Sequence, residues 1–167
     1  MFSHTPRRLL ALFFIAVATV GCDQATKHLA RTHLAMSPPL PLLGGSVELV
    51  LSLNSGAFLS LGASLPQATR AFLFTGLAAA FVVAAVFILL RRGHRLGQST
   101  QVGLALAAAG GLGNLIDRLS WQGFVTDFLV IRLGPLHTGI FNVADMAITV
   151  GALILVAASR TTKGTPA

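Results

Sequence analysis

Two aspartates, Asp127 and Asp145, stand in apolar surroundings with no cation close in sequence. Asp127 lies inside Phe124-Val125-Thr126-Asp127-Phe128-Leu129-Val130-Ile131, and Asp145 meets no basic residue before Arg160. Burial without a partner raises a carboxyl's pKa, and a second carboxyl nearby raises one of the two further. Two acids sharing one proton can hydrolyse a peptide bond. One activates water as a base, while the other, protonated, polarises the carbonyl. The spacing Asn142-x-x-Asp145 also fits a capping box opening a helix. The positive end of that helix favours the ionised form at Asp145, which makes Asp145 the expected base and Asp127 its protonated partner.

The other acids have ordinary roles available. Asp23 and Lys27 are four apart at a helix end, the spacing of an ion pair. Asp117 sits near the end of an apolar helix beside Arg118, and reads as mainly architectural, held by that neighbouring cation. Among other chemistries, a Ser–Lys nucleophile would need Lys27 with Ser52, Ser55 or Ser60. The histidines His4, His28, His33, His94 and His137 lack metal-ligand spacing, so neither a metal nor another cofactor is expected. A transporter or proton-relay subunit would use the same acids differently, spread through the membrane depth.

The positioning elements follow from hydropathy. The 167-residue chain is 54% apolar and 10% charged, which points to a membrane protein of several spans. Spans are expected over residues 9–27, 71–90, 98–116 and 140–159, each near the ~20 residues that cross a ~30 Å core. They leave connections over 28–70 and 117–139 within one polytopic domain, 1–167. In the first connection Pro38, Pro39 and Pro41 forbid helix. Val47, Leu49, Leu51 and Leu53 then alternate, which predicts a half-buried strand over 47–54 ended by Asn54-Ser55-Gly56. Residues 57–65 read as a short interfacial segment. Residues 124–131, β-branched and aromatic, predict a second strand pairing with the first. In the third span Ala105, Ala109 and Gly113, with Gly110 and Gly111, predict close helix packing.

The net charge of +7 does not indicate nucleic acid, because the basic residues sit at helix ends rather than in one patch. Arg7, Arg8, Arg91, Arg92, Arg95, Arg160 and Lys163 fall on one side of the four spans. This implies cytoplasmic termini and puts all five carboxylates outside. Thr19-Val20-Gly21-Cys22 also has the look of a lipoprotein cleavage box. Three further spans favour an uncleaved first helix over that reading, and a lipoprotein or a non-catalytic membrane scaffold forms a third class beside the peptidase and the transporter.

Asp23-Gln24-Ala25-Thr26-Lys27, Asn54-Ser55-Gly56-Ala57, Gly113-Asn114-Leu115-Ile116-Asp117-Arg118, Val125-Thr126-Asp127-Phe128 and Phe141-Asn142-Val143-Ala144-Asp145 occur in that order. Together they resemble the lipoprotein signal peptidases (signal peptidase II), from Asp23 to Gly151. The resemblance implies an aspartic endopeptidase of the bacterial inner membrane that acts on lipid-modified prolipoproteins within membrane lipid. Such enzymes cut just before the diacylglyceryl-modified cysteine. It implies a four-helix fold with a small extracytoplasmic β-cradle, and a catalytic pair at Asp127 and Asp145. Asp23, Lys27, Asn54, Gly56, Asn114, Asp117, Arg118 and Asn142 match the family's substrate-contacting or site-supporting positions. Two departures stand out: Ala109 replaces the first glycine of Gly-Gly-x-x-Gly-Asn, and Ala57 is followed directly by Phe58-Leu59 where Ala-Ala-Phe is common.

Overall fold

A computed structural model describes residues 5–55 and 65–162. Four long helices carry the chain: α1 (Thr5–Leu34), α2 (Gln67–Arg92), α3 (Gln98–Ser120) and α4 (Val143–Thr162). Each contains a stretch long and apolar enough to cross a membrane. Successive helices run in opposite senses, so the aspartates of α1, α3 and α4 meet at one end. Between the helices lie four strands: β1 (Leu40–Leu42), β2 (Val47–Asn54), β3 (Val125–Leu133) and β4 (Leu136–His137). They form one antiparallel sheet in the order β1-β2-β3-β4, at the aspartate end. The expected all-helical membrane fold with a small sheet is what the chain adopts. The interfacial segment expected at 57–65 falls, up to residue 64, outside the described residues.

Three local expectations are corrected. The helix expected to end near residue 27 continues to Leu34, because nothing between His28 and Leu34 stops it and the first prolines come at 38 and 39. Its 30 residues span roughly 45 Å, more than a ~30 Å core, and Cys22 is exposed within unbroken helix. The fourth helix starts at Val143 rather than at residue 140. The preceding Phe141 instead pairs with Leu129 of β3. In β2 the expected alternation breaks at an irregularity between Leu49 and Ser52. Leu53 is consequently exposed, while Ser52 lies opposite Asp127.

The turn between β1 and β2 needs left-handed backbone, with φ of +67° at Gly44 and +89° at Gly45, conformations that glycine adopts without a Cβ penalty.

Helix α3 is the hub. Its buried face is almost entirely alanine and glycine, including Ala105, Ala109, Gly110, Gly111 and Gly113, and it packs against all three other helices. In lipid, association comes from close packing rather than from apolar burial, and here backbone meets backbone. A Cβ at Gly151 of α4 would lie 2.6 Å from the Gly103 carbonyl oxygen, and one at Gly113 would lie 2.5 Å from an Asp23 oxygen.

That last contact marks the second fastening of the bundle. Lys27 of α1 is fully buried, with Nζ 2.9 Å from Asp23 Oδ2 and 3.5 Å from Asp117 Oδ2 of α3. Asp23 Oδ1 accepts the Ala144 N–H of α4 at 2.9 Å, so one ion pair joins three helices. Asp117 Oδ2 also accepts the Thr126 N–H of β3 at 2.8 Å, which ties the sheet to the same point. The cation expected beside Asp117 was Arg118. The partners are instead Lys27 and Arg31, whose Nη1 is 3.6 Å from Asp117 Oδ1. Consecutive helical residues point in different directions, and Arg118 donates to the Asn114 carbonyl at 3.4 Å.

Removing one member of a buried charge cluster strands the rest. Lys27→Met is therefore expected to destabilise the protein by about 3–5 kcal/mol, read as a lowered unfolding midpoint in detergent. Gly151→Ala, which drives a methyl into the Gly103 carbonyl, should cost about 1–3 kcal/mol. By contrast Gly21→Ala, where a Cβ meets nothing within 4 Å, should be neutral or stabilising by up to about 1 kcal/mol.

Candidate active site

The site is built where β3 and the start of α4 are laced together. The Phe128 and Leu129 N–H groups both donate to the Phe141 carbonyl, at 3.0 and 2.9 Å, and the Phe141 N–H returns a bond to Leu129 at 2.9 Å. Asn142 therefore follows directly beside Asp127, and Asp145 comes three residues later at the first turn of α4. This backbone pairing brings together two acids that are 18 positions apart in the chain.

Asn142 connects the two carboxyls. It is fully buried, and its Nδ2 donates to Asp127 Oδ1 at 2.6 Å. Its backbone N–H donates to Asp145 Oδ2 at 3.2 Å, and its Oδ1 accepts the Asp145 N–H at 2.9 Å. That reciprocal pair is the capping box expected from Asn142-x-x-Asp145. The other Asp145 oxygen, Oδ1, accepts from Asn114 Nδ2 at 2.8 Å. N–H donors on both oxygens and the positive end of α4 behind it offset part of the cost of burying a charge at Asp145.

The amide of Asn114 is itself held. Lys27 Nζ donates to Asn114 Oδ1 at 2.9 Å, so the oxygen faces the ammonium and the NH₂ group faces Asp145. Asn142 Nδ2 also reaches that oxygen, at 3.2 Å. The buried ion pair thus fixes which end of Asn114 meets the carboxylate.

Asp127 is 2% exposed, and burial, reinforced by the Asp145 charge, pushes its pKa up to about 6. Hydrogen bonds oppose the rise: Asn54 Nδ2 donates to Oδ2 at 2.9 Å, and Asn142 donates to Oδ1. Asn54 ends β2, and its partner in the register is Val125, so its side chain shares the sheet face of Asp127.

Arg118 joins the acids to the surface. It lies within electrostatic reach of Asp145, Asp127 and Asp117. It also lines a groove of about 410 Å³ between α2 and the end of α3, with Ala71, Phe72, Thr75 and Gly123 among the walls.

Asp23, Lys27, Asn54, Asn114, Asp117, Arg118, Asp127, Asn142 and Asp145, all singled out in the sequence, thus converge on one network. Gly56 lies outside the described residues. Among the described residues no three acids, histidines or cysteines gather as metal ligands. Three participants were not singled out: Gln24, Arg31 and Thr126. Gln24 Nε2 donates to the Gly113 carbonyl and to Asp23, both at 3.1 Å. Arg31 donates to Thr126 Oγ1 at 2.6 Å and stacks over Trp121, 4.8 Å from the ring centre. A signal for Arg31 existed: residues 23, 27 and 31 repeat every four positions along one helix face.

Comparison with known proteins agrees with this architecture. The family model described as signal peptidase (SPase) II matches residues 15–161. A lipoprotein signal peptidase of Desulforapulum autotrophicum is 35% identical over 150 residues, covering 90% of this chain and 91% of its own. One from Moorella thermoacetica is 37% identical over 150 residues, covering 90% and 89%. A solved bacterial membrane enzyme superposes with a TM-score of 0.80 at 25% identity, covering 92% of this chain and 90% of its own. The transporter reading has no support among these relatives. The chain is a multi-pass membrane peptidase and belongs to the signal peptidase II family.

Proposed function

We propose that this peptidase is of the aspartic type, with Asp127 and Asp145 as its catalytic pair. We further propose that it removes signal peptides from diacylglyceryl-modified prolipoproteins, cutting on the N-terminal side of the lipidated cysteine. The observation that carries the assignment is the single residue Asn142, hydrogen-bonded to both carboxyls. In the reaction, a water between the acids gives its proton to Asp145 as its oxygen attacks the scissile carbonyl. Asp127 passes its proton to the carbonyl oxygen, forming a neutral tetrahedral diol. In the collapse Asp145 gives its proton to the leaving amine and Asp127 takes one back from a diol hydroxyl as the C–N bond breaks, which restores the starting protonation of the pair.

The raised pKa of Asp127 and the donors around Asp145 support this division of labour. The groove beside Arg118 supports entry of a membrane-embedded substrate, with the guanidinium facing its polar backbone near the cut. The cations at the ends of the helices support a topology with both termini cytoplasmic in the bacterial inner membrane and the site near the outer face. The substrate class follows from the relatives, which are lipoprotein signal peptidases.

Cleavage of a diacylglyceryl-modified prolipoprotein by purified enzyme tests the assignment. Asp127→Asn and Asp145→Asn should each lower the rate by about 10²- to 10⁴-fold with little change in unfolding midpoint. Full activity in either variant removes that residue from the pair. Asp117→Asn should lower the yield of folded protein as well as activity, because it weakens the Lys27 cluster.

The pH profile has a defined sign. Asp127 must be protonated, so kcat/KM should fall as pH rises through the pair's upper apparent pKa, near the value of about 6 for Asp127. Asn54 stabilises the ionised form. Asn54→Ala should therefore move this alkaline limb to higher pH, and a shift to lower pH would contradict the protonation assignment.

A further inference from the structure

At the end of the bundle away from the aspartates, α1 and α2 rest side by side on α3 with hardly any contact between them. The gap is an apolar groove of about 400 Å³. Its walls include Leu12 and Ala16 of α1 and Val86 and Leu89 of α2, over a floor that includes Ala105 and Ala108 of α3. Residues 9–16 of α1 and 82–90 of α2 bound it, a length of roughly 10–12 Å, which covers most of one leaflet of a ~30 Å core.

The mouth of the groove is cationic. The Arg8 guanidinium lies against Gly93 in the turn after α2, with Nη1 3.2 Å from where a Cβ would stand. Arg8 Nε is buried and has no hydrogen-bond partner among the described residues, an arrangement that is costly unless an acceptor completes it. Arg7, Arg91, Arg92 and Arg95 occupy the same end, and Arg91 sits 5.7 Å from the centre of the Phe87 ring. All five acidic side chains (Asp23, Glu48, Asp117, Asp127 and Asp145) lie at the other end, so these guanidiniums have no acidic side chain to pair with.

We propose that this groove is a binding site for one anionic phospholipid. One acyl chain lies on α3 between α1 and α2, and the phosphate accepts from Arg8 and the neighbouring guanidiniums. Basic residues capping an apolar cleft between spanning helices are the arrangement that holds anionic headgroups. A zwitterionic lipid fits less well, because its ammonium would meet only cations. The site is separate from the aspartate pair: Arg8 and Asp23 are roughly 22 Å apart along α1. It stands whether or not the aspartic mechanism does.

Native mass spectrometry of the full chain in detergent, titrated with phosphatidylglycerol or with phosphatidylethanolamine of the same acyl chains, tests it. The wild-type protein should retain one phosphatidylglycerol about tenfold more tightly than phosphatidylethanolamine, as expected for a charge-assisted contact. Arg8→Gln should reduce that preference to about twofold, with Arg8→Lys intermediate. Ala16→Phe, which narrows the groove from a half-exposed wall, should weaken both lipids. Equal affinity of the wild-type protein for the two lipids overturns the proposal without recourse to any variant. A preference untouched by Arg8→Gln, or binding untouched by Ala16→Phe, overturns it as well.

Discussion

The arrangement at the aspartate end depends on one ammonium group placed where water does not reach. Lys27 is fully buried, and a lone cation there would be prohibitively expensive. Asp23 and Asp117 make it tolerable, and each acid then spends its remaining lone pairs on another element: Asp23 on the first turn of α4, Asp117 on β3. Neutralising the charge therefore assembles the site. Such a cluster adds little stability over a well-packed apolar substitute. What it adds is direction, since charges and N–H groups fit together in one way where alanine faces could slide.

Direction passes outward through two asparagines. An amide has one accepting and one donating end, so fixing either end orients the other. Lys27 fixes the oxygen of Asn114, and the NH₂ group is left for Asp145. Asn142 serves both acids, through its side chain to Asp127 and its backbone to Asp145. The two carboxyls then occupy different surroundings although they are chemically alike. One is capped at the positive end of a helix, and the other is enclosed in a sheet beside a negative neighbour. Difference of environment is what lets like groups take opposite roles.

Much of this was legible in the residues. Four apolar runs and the period of two at 47–54 announced helices and strand, and the unpaired state of Asp127 and Asp145 drew attention to both. Strands β1 and β4, of three and two residues, carry too short a pattern to be read. The partners of Asp117 were misread because adjacency along a helix is not adjacency in space, and its cations arrive from α1. Arg31 was passed over for a related reason. The run of hydropathy fades near Lys27, but the helix does not, since nothing from His28 to Leu34 stops it. The contacts of Gln24 and Thr126 depend on how close α1, α3 and β3 come, which is set by the small side chains of α3 and is invisible in any one segment.

The four helices are not equally tethered. Salt links and hydrogen bonds bind α1, α3 and α4 to one another, whereas α2 leans on α3 through a single seam that includes Val82 and Phe81 beside Gly111. An outward tilt of α2 thus breaks dispersion contacts and no described ion pair. Such a tilt would widen the cleft beside Arg118 towards the flank of the bundle, the side from which the lipid-borne substrate proposed above would arrive.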